Sequence, residues 1–117
     1  MLSTESVRQF QSHGVTPENE NPLQIDYHNI KKASLVLRAL NHKLRQQIIR
    51  IIAEENKLTV TEIYIKLRLE QSVASQHLAI LRKTGIVTTQ REGKFIYYTI
   101  NTDRVAAIDG FVKDLVG

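Results

Sequence analysis

Two short helical patterns separated by about three residues constrain this chain more than any other feature. The first opens at Thr59. With Glu62 three positions on, this threonine begins a capping box: its hydroxyl accepts from the Glu62 amide, and the Glu62 carboxylate reaches back to the Thr59 amide. Ile63 and Leu67 then face inward. Beyond a break at Arg68–Glu70, the stretch LEQSVASQHLAILRKTGIV (Leu69–Val87) places Ala74, Leu78 and Leu81 at spacings of four and three, so they share one helical face. Gly85 ends this second helix as its C′ residue. Two helices joined so tightly predict a helix-turn-helix.

The polar side of the second helix is unusual. Gln71, Ser72, Ser75 and Gln76 cluster at its N-terminal end, with the small Ala79 beyond them. A face that is merely solvated more often carries Lys and Glu. Glutamine can pair with N6 and N7 of adenine, serine can meet phosphates or several base edges, and a small residue lets a helix sit deep in the major groove. The four residues are therefore candidate DNA-reading side chains.

After the helix come IVTTQR (Ile86–Arg91) and KFIYYTI (Lys94–Ile100), both rich in β-branched and aromatic residues. A turn at Glu92–Gly93 makes them a β-hairpin. A hairpin directly after a reading helix is a wing, and Arg91 and Lys94 at its tip can meet phosphates or the minor groove. Lys57, Thr59 and Lys66 are expected near the DNA backbone.

Two further helices precede this core. Ile30, Ala33, Leu37 and Leu40 form one apolar stripe from about Asp26 to Leu40, and Leu44, Ile48, Ile51 and Ile52 form another that the polar run Glu54–Lys57 ends. A last helix over Thr102–Val116 carries Val105, Ile108, Val112 and Leu115. Gly110 weakens it by about 1 kcal/mol relative to alanine, and Asp103 is a favourable first-turn charge. This stripe either finishes the core or meets a second copy. At the other end, Ser3–Ser12 could form a short helix, and GVTPENENP (Gly14–Pro22) reads as a linker. The expected organisation is an N-terminal extension and linker, 1–25, followed by one domain, 26–117.

Charge supports a polyanionic partner. Residues 1–26 hold Glu5, Glu18, Glu20 and Asp26 against Arg8, a net −3, whereas the remainder of the +4 chain carries +7. The absence of cysteine excludes disulfides, thiolate metal sites and cysteine nucleophiles. His13, His28, His42 and His77 lie on separate elements without HxxH spacing, so no metal is expected, and His77 is expected to be structural or to contact phosphate. No catalytic constellation stands out, and neither an enzyme nor a cofactor is expected. Apolar runs fall short of the ~20 residues that span a bilayer, and no signal-peptide pattern opens the chain. A cytoplasmic location without membrane contact is the expectation.

From Ala39 to Asn101 the chain resembles the ArsR/SmtB transcriptional repressors. The resemblance rests on ALNHKLRQQIIRII, LTVTEI, SVASQHLAILRKTGIV and REGKFIYYTIN, with Gly85, the His77–Leu78 pair and Tyr97–Tyr98 at the family's positions. It implies a mainly helical α+β winged helix-turn-helix whose flanking helices, Ile30–Leu40 and about Thr102–Val116, form a homodimer interface. The sensing positions depart from the family. Many members hold a metal through Cys-Val-Cys where this chain has Thr59-Val60-Thr61, and others pair an Asp with a His on the last helix, where Val105 follows Asp103.

The resulting expectation is a homodimeric repressor on double-stranded DNA at an inverted repeat, with half-site centres about 10 bp apart or a near multiple. Its inducer is unassigned. Two alternatives stay open: a winged-helix protein-interaction module, and a regulator governed by a small molecule at the dimer interface.

Overall fold

The computed structural model describes residues 22–117. The expected helix at Ser3–Ser12, His13 and all but the last residue of the Gly14–Pro22 segment lie outside the described residues. The chain falls into two compact units, one ending at Ala33 and one spanning Ser34–Gly117. In the first, the Asp26 carboxylate accepts from the Asn29 backbone N–H at 3.1 Å and from Asn29 Nδ2 at 2.9 Å, which caps helix α1 (Tyr27–Leu40).

The other described elements are α2 (Lys43–Glu55), β1 (Leu58–Thr59), α3 (Val60–Lys66), α4 (Gln71–Lys83), β2 (Val87–Glu92), β3 (Phe95–Ile100) and α5 (Thr102–Val116). Among the described residues, five helices and a three-stranded antiparallel sheet ordered β1-β3-β2 make the expected mainly helical α+β winged helix-turn-helix.

Local chemistry sets most of the boundaries. The capping box forms as read: Glu62 N–H donates to Thr59 Oγ1 at 3.2 Å, and Thr59 N–H donates to Glu62 Oε1 at 2.8 Å. α4 ends in a Schellman motif, with Ile86 N–H donating to Leu81 O at 2.9 Å and Gly85 N–H to Arg82 O at 3.0 Å. Gly85 sits at φ +79, the left-handed conformation this cap demands. α3 ends one residue before the expected break and by the same device. Leu69 N–H donates to Tyr64 O and Arg68 N–H to Ile65 O, with Arg68 itself at φ +55. An arginine in the position glycine usually fills gives the sequence no boundary signal.

The hairpin differs from expectation by one residue. Glu92 pairs with Phe95, so the turn is Gly93–Lys94 rather than Glu92–Gly93. Gly93 has φ +63, as the first position of a two-residue II′ loop requires. The strand β1 was not expected. Its two residues pair antiparallel with Tyr97 and Tyr98 and draw the segment before α3 onto the wing.

The core gathers Ala39, Ile48, Ile52, Leu58, Ile63, Leu78, Leu81, Ile86 and Val87, one apolar face from every element between the end of α1 and the start of β2. Among the described residues, one charged side chain is buried with it. Arg45 is only 7% exposed, and its Nε and Nη2 donate to the carbonyls of Ala39 and Arg38 at 2.7 and 3.0 Å. Gln46 Nε2 donates to Leu40 O at 2.8 Å. The carbonyls left without partners at the end of α1 are thus satisfied by the first turn of α2.

Candidate nucleic-acid interface

Helix α4 presents the two faces its sequence demands. Ala74, Leu78 and Leu81 are fully buried, while Gln71, Ser72, Ser75, Gln76 and Ala79 are all exposed. Thirteen residues make a rod about 20 Å long, and the four candidate reading side chains occupy its first two turns. Burial of the opposite face anchors the rod, so this polar face is held outward without using any of its own hydrogen-bonding groups.

The wing follows directly. Val87 to Glu92 pair with Ile100 to Phe95 in unbroken register, and the Thr88 and Thr99 hydroxyls meet across the strands at 2.8 Å. Arg91 and Lys94 are both exposed near the tip. The Arg91 Nε donates to Gly93 O at 3.2 Å, bracing the turn, and the Lys94 ammonium lies 5.4 Å from the centre of the Phe95 ring.

The three remaining candidates are engaged to different degrees. Lys57 Nζ stands 2.7 Å from both carboxylate oxygens of Glu92 and 4.7 Å from the centre of the Tyr97 ring. The hydrogen bond to Glu92 raises the lysine above its usual range, so its charge is partly spent on the wing. Thr59 is exposed only in part, and its hydroxyl both accepts from the Glu62 amide and donates to the Glu62 carboxylate at 3.2 Å. Lys66 reaches Glu55 only loosely, at 3.9 Å.

His77 leaves the solvent side of α4. It is half-buried, its Nδ1 is 3.2 Å from Arg45 Nη1, and its ring centre is 4.8 Å from that of His42. Burial first, and then the charges of His42 and Arg45, push its pKa down. The structural role expected for His77 accords with these contacts. Arg45 was missed by sequence reasoning, although a signal existed: at spacings of three and four, it falls on the same stripe as Ile48 and Ile52. Arg104 was also missed. From α5 its Nε and Nη2 donate to Thr84 O at 3.3 and 3.2 Å, at the C-terminal end of α4.

A reading helix packed on a helical core, with a cationic hairpin behind it, defines the winged helix-turn-helix class. Comparison with known proteins narrows the class. The profile described as "Bacterial regulatory protein, arsR family" matches residues 42–89, from the N-cap of α2 into β2. The transcriptional activator HlyU of Vibrio cholerae is 39% identical over 80 residues, which are 68% of this chain and 73% of HlyU. The transcriptional repressor PagR of Bacillus anthracis is 33% identical over 85 residues, 73% of this chain and 85% of PagR. Their solved structures agree. Reduced HlyU from Vibrio cholerae superposes with a TM-score of 0.58 at 38% identity over 71% of this chain and 87% of that one. PagR superposes with a TM-score of 0.59 at 31% identity over 77% and 99%.

The chain therefore belongs to the arsR family of bacterial regulatory proteins. It is a winged helix-turn-helix, DNA-binding transcriptional regulator and not an enzyme. Among the described residues no group of three or more His, Asp or Glu side chains could hold a metal ion, and no described helix is long and apolar enough to cross a membrane.

Proposed function

We propose that this chain is a cytoplasmic homodimeric repressor that occupies an inverted-repeat operator, reading bases with Gln71, Ser72, Ser75 and Gln76 and gripping phosphates with Arg91 and Lys94. The observation that carries the reading is the division of α4: four short or bidentate hydrogen-bonding side chains exposed along one side of a rod whose other side is fully buried. Lys57, Thr59 and Lys66 are proposed as neighbours of the DNA backbone. Residues 26–117 would act as the binding and dimerisation domain, with 1–25 as an extension.

The dimer draws support from α5. None of its residues is buried, yet Phe111, Leu115 and Val116 are 51%, 63% and 79% exposed. Leu37 and Leu40 of α1 and Val105, Ile108 and Val112 of α5, with the polar Asn41, Gln46 and Asp109, line an open groove of about 390 Å³. Apolar surface of this kind on a 117-residue chain is what a second copy would cover. The same groove favours the second reading, in which a small molecule at the dimer interface governs DNA release. No thiolate is available to sense soft metals or oxidants, since Thr59 and Thr61 stand at the positions in question.

Selection of bound fragments from genomic DNA tests the proposal. The expected result is enrichment of a palindrome bound by two protomers, with an affinity that falls by several orders of magnitude as salt rises, in keeping with ~6–10 phosphate contacts. Enrichment of no sequence, or binding insensitive to salt, would overturn it.

A further inference from the structure

Arg45 joins three elements of the second compact unit at one guanidinium. Its Nε and Nη2 hold the last carbonyls of α1, those of Ala39 and Arg38, at 2.7 and 3.0 Å, and its Nη1 lies 3.2 Å from Nδ1 of His77 on α4. Among the described residues no carboxylate is paired with it. The buried cation is instead balanced by the partial negative charge at the C-terminal end of α1 and by a histidine lone pair.

Because an arginine can only donate, the contact requires His77 Nδ1 to be unprotonated and to accept. His42 faces the same ring from the N-cap of α2, where its own Nδ1 accepts the Leu44 N–H at 3.2 Å. Among the described residues, the charged or titratable groups turned toward His77 are thus a guanidinium and a second imidazole, with no anion to receive an added proton's charge. A proton on His77 Nδ1 would set two cations face to face in a site only partly open to water.

We propose that Arg45 and His77 are positioning residues for DNA reading, holding α4 at the attitude dictated by the end of α1 so that the α4 side chains meet successive bases in register. The inference rests on α4 being the reading helix. Neither residue touches DNA. His77 is one position after Gln76 and two after Ser75 on the same helix, so a roll or slide of α4 that breaks the joint displaces the reading side chains directly. Phosphate contacts made by the wing tolerate such a shift, and base-directed hydrogen bonds do not. Loss of the joint should therefore lower the preference for operator over random DNA more than it lowers binding in general.

The test compares the full-length protein with His77→Leu and His77→Gln, measuring affinity for the selected operator and for a random duplex. His77→Leu removes the acceptor and should lower the ratio of operator to random affinity about tenfold, the usual weight of one hydrogen bond to a charged group. His77→Gln keeps an acceptor that cannot be protonated and should recover most of that ratio. As pH falls from about 7.5 through the folded-state titration of His77, followed by its imidazole NMR signals, the wild-type ratio should fall, while that of His77→Gln stays within about threefold. The random duplex corrects for the general gain in affinity that protonated histidines bring to any DNA. If His77→Leu does not fold, the pH comparison of wild type with His77→Gln decides alone. A His77→Leu ratio equal to wild type, a folded His77→Gln no better than His77→Leu, or a wild-type ratio unchanged by pH would each overturn the proposal. Absence of any operator preference in the wild type would remove the reading-helix assignment itself, a distinct failure.

Discussion

Lys57 and Glu92, 35 positions apart in the chain, meet with the ammonium 2.7 Å from both carboxylate oxygens. The pair joins the residue before β1 to the last residue of β2. It follows from the pairing of β1 with β3, which brings Lys57 over the Tyr97 ring. A lysine that the sequence places near the DNA backbone therefore has an acidic partner on the wing.

Replacing Glu92 with Gln removes that partner and one negative charge from the wing. Affinity for random DNA should rise, and the plot of log affinity against log salt should steepen by about one ion equivalent as Lys57 becomes available to a phosphate. Gel-shift titrations over a salt series measure both. An unchanged slope would place Lys57 away from the DNA.

Reading helix and wing are separable by their effects. Gln71→Ala or Gln76→Ala should cost about 1–3 kcal/mol at the operator and little on random DNA, whereas Arg91→Ala or Lys94→Ala should weaken both. Competition binding with the two DNAs distinguishes them. If both glutamine variants kept the full operator preference, the reading face would be misassigned.

Two caps test the helix boundaries. Thr59→Ala deletes the hydroxyl that accepts from Glu62 N–H and should destabilise the fold by about 0.5–2 kcal/mol. Gly85→Ala should cost about 1–2 kcal/mol, because an L-residue is strained at φ +79 and its Cβ would also meet Arg104 Nε at 3.3 Å. Denaturant unfolding reads both. Arg68→Gly, at the equivalent position of α3 with φ +55, should not destabilise.

His77 also predicts how stability follows pH. Its folded-state pKa lies below the ordinary 6.5 because of burial, then His42 and Arg45, so the unfolded chain takes up this proton first. Unfolding free energy should be flat in this respect above about pH 7, fall as pH drops through 6.5, and level off below the folded pKa. In His77→Gln that component of the fall should vanish, as urea unfolding between pH 5 and 8 would show.

Stoichiometric zinc, cadmium or arsenite, and mild peroxide, should leave operator affinity unchanged, since threonine hydroxyls at 59 and 61 stay protonated and bind soft ions poorly. A tenfold loss of affinity reversed by a chelator would reveal a site built from other residues, with His28 and His42 the first described ones to replace.

Helix-turn-helix and wing were legible because their determinants are local. Ala74, Leu78 and Leu81 repeat at the helical period, Thr59 and Glu62 cap within one turn, and Gly85 supplies a backbone conformation that other residues resist. Each is a relation over at most seven positions, and its free energy does not wait on distant parts of the chain. Even at this range the α3 boundary moved, because Arg68 takes the left-handed position without being glycine.

Tertiary structure alone decided the rest. Two residues are too few to show a strand period, so β1 exists only because Tyr97 and Tyr98 of β3 offer Leu58 and Thr59 a partner edge. Helical spacing places Arg45 on the inward stripe with Ile48 and Ile52, but its partners are set only when the end of α1 brings carbonyls to it and α4 brings His77 from 32 positions away. Nothing in the sequence pairs Lys57 with Glu92, 35 positions on, until the sheet brings them together. In the last two cases a charged side chain has many acceptable partners in the unfolded chain, and only the packing of the apolar faces selects which one lies within hydrogen-bond reach.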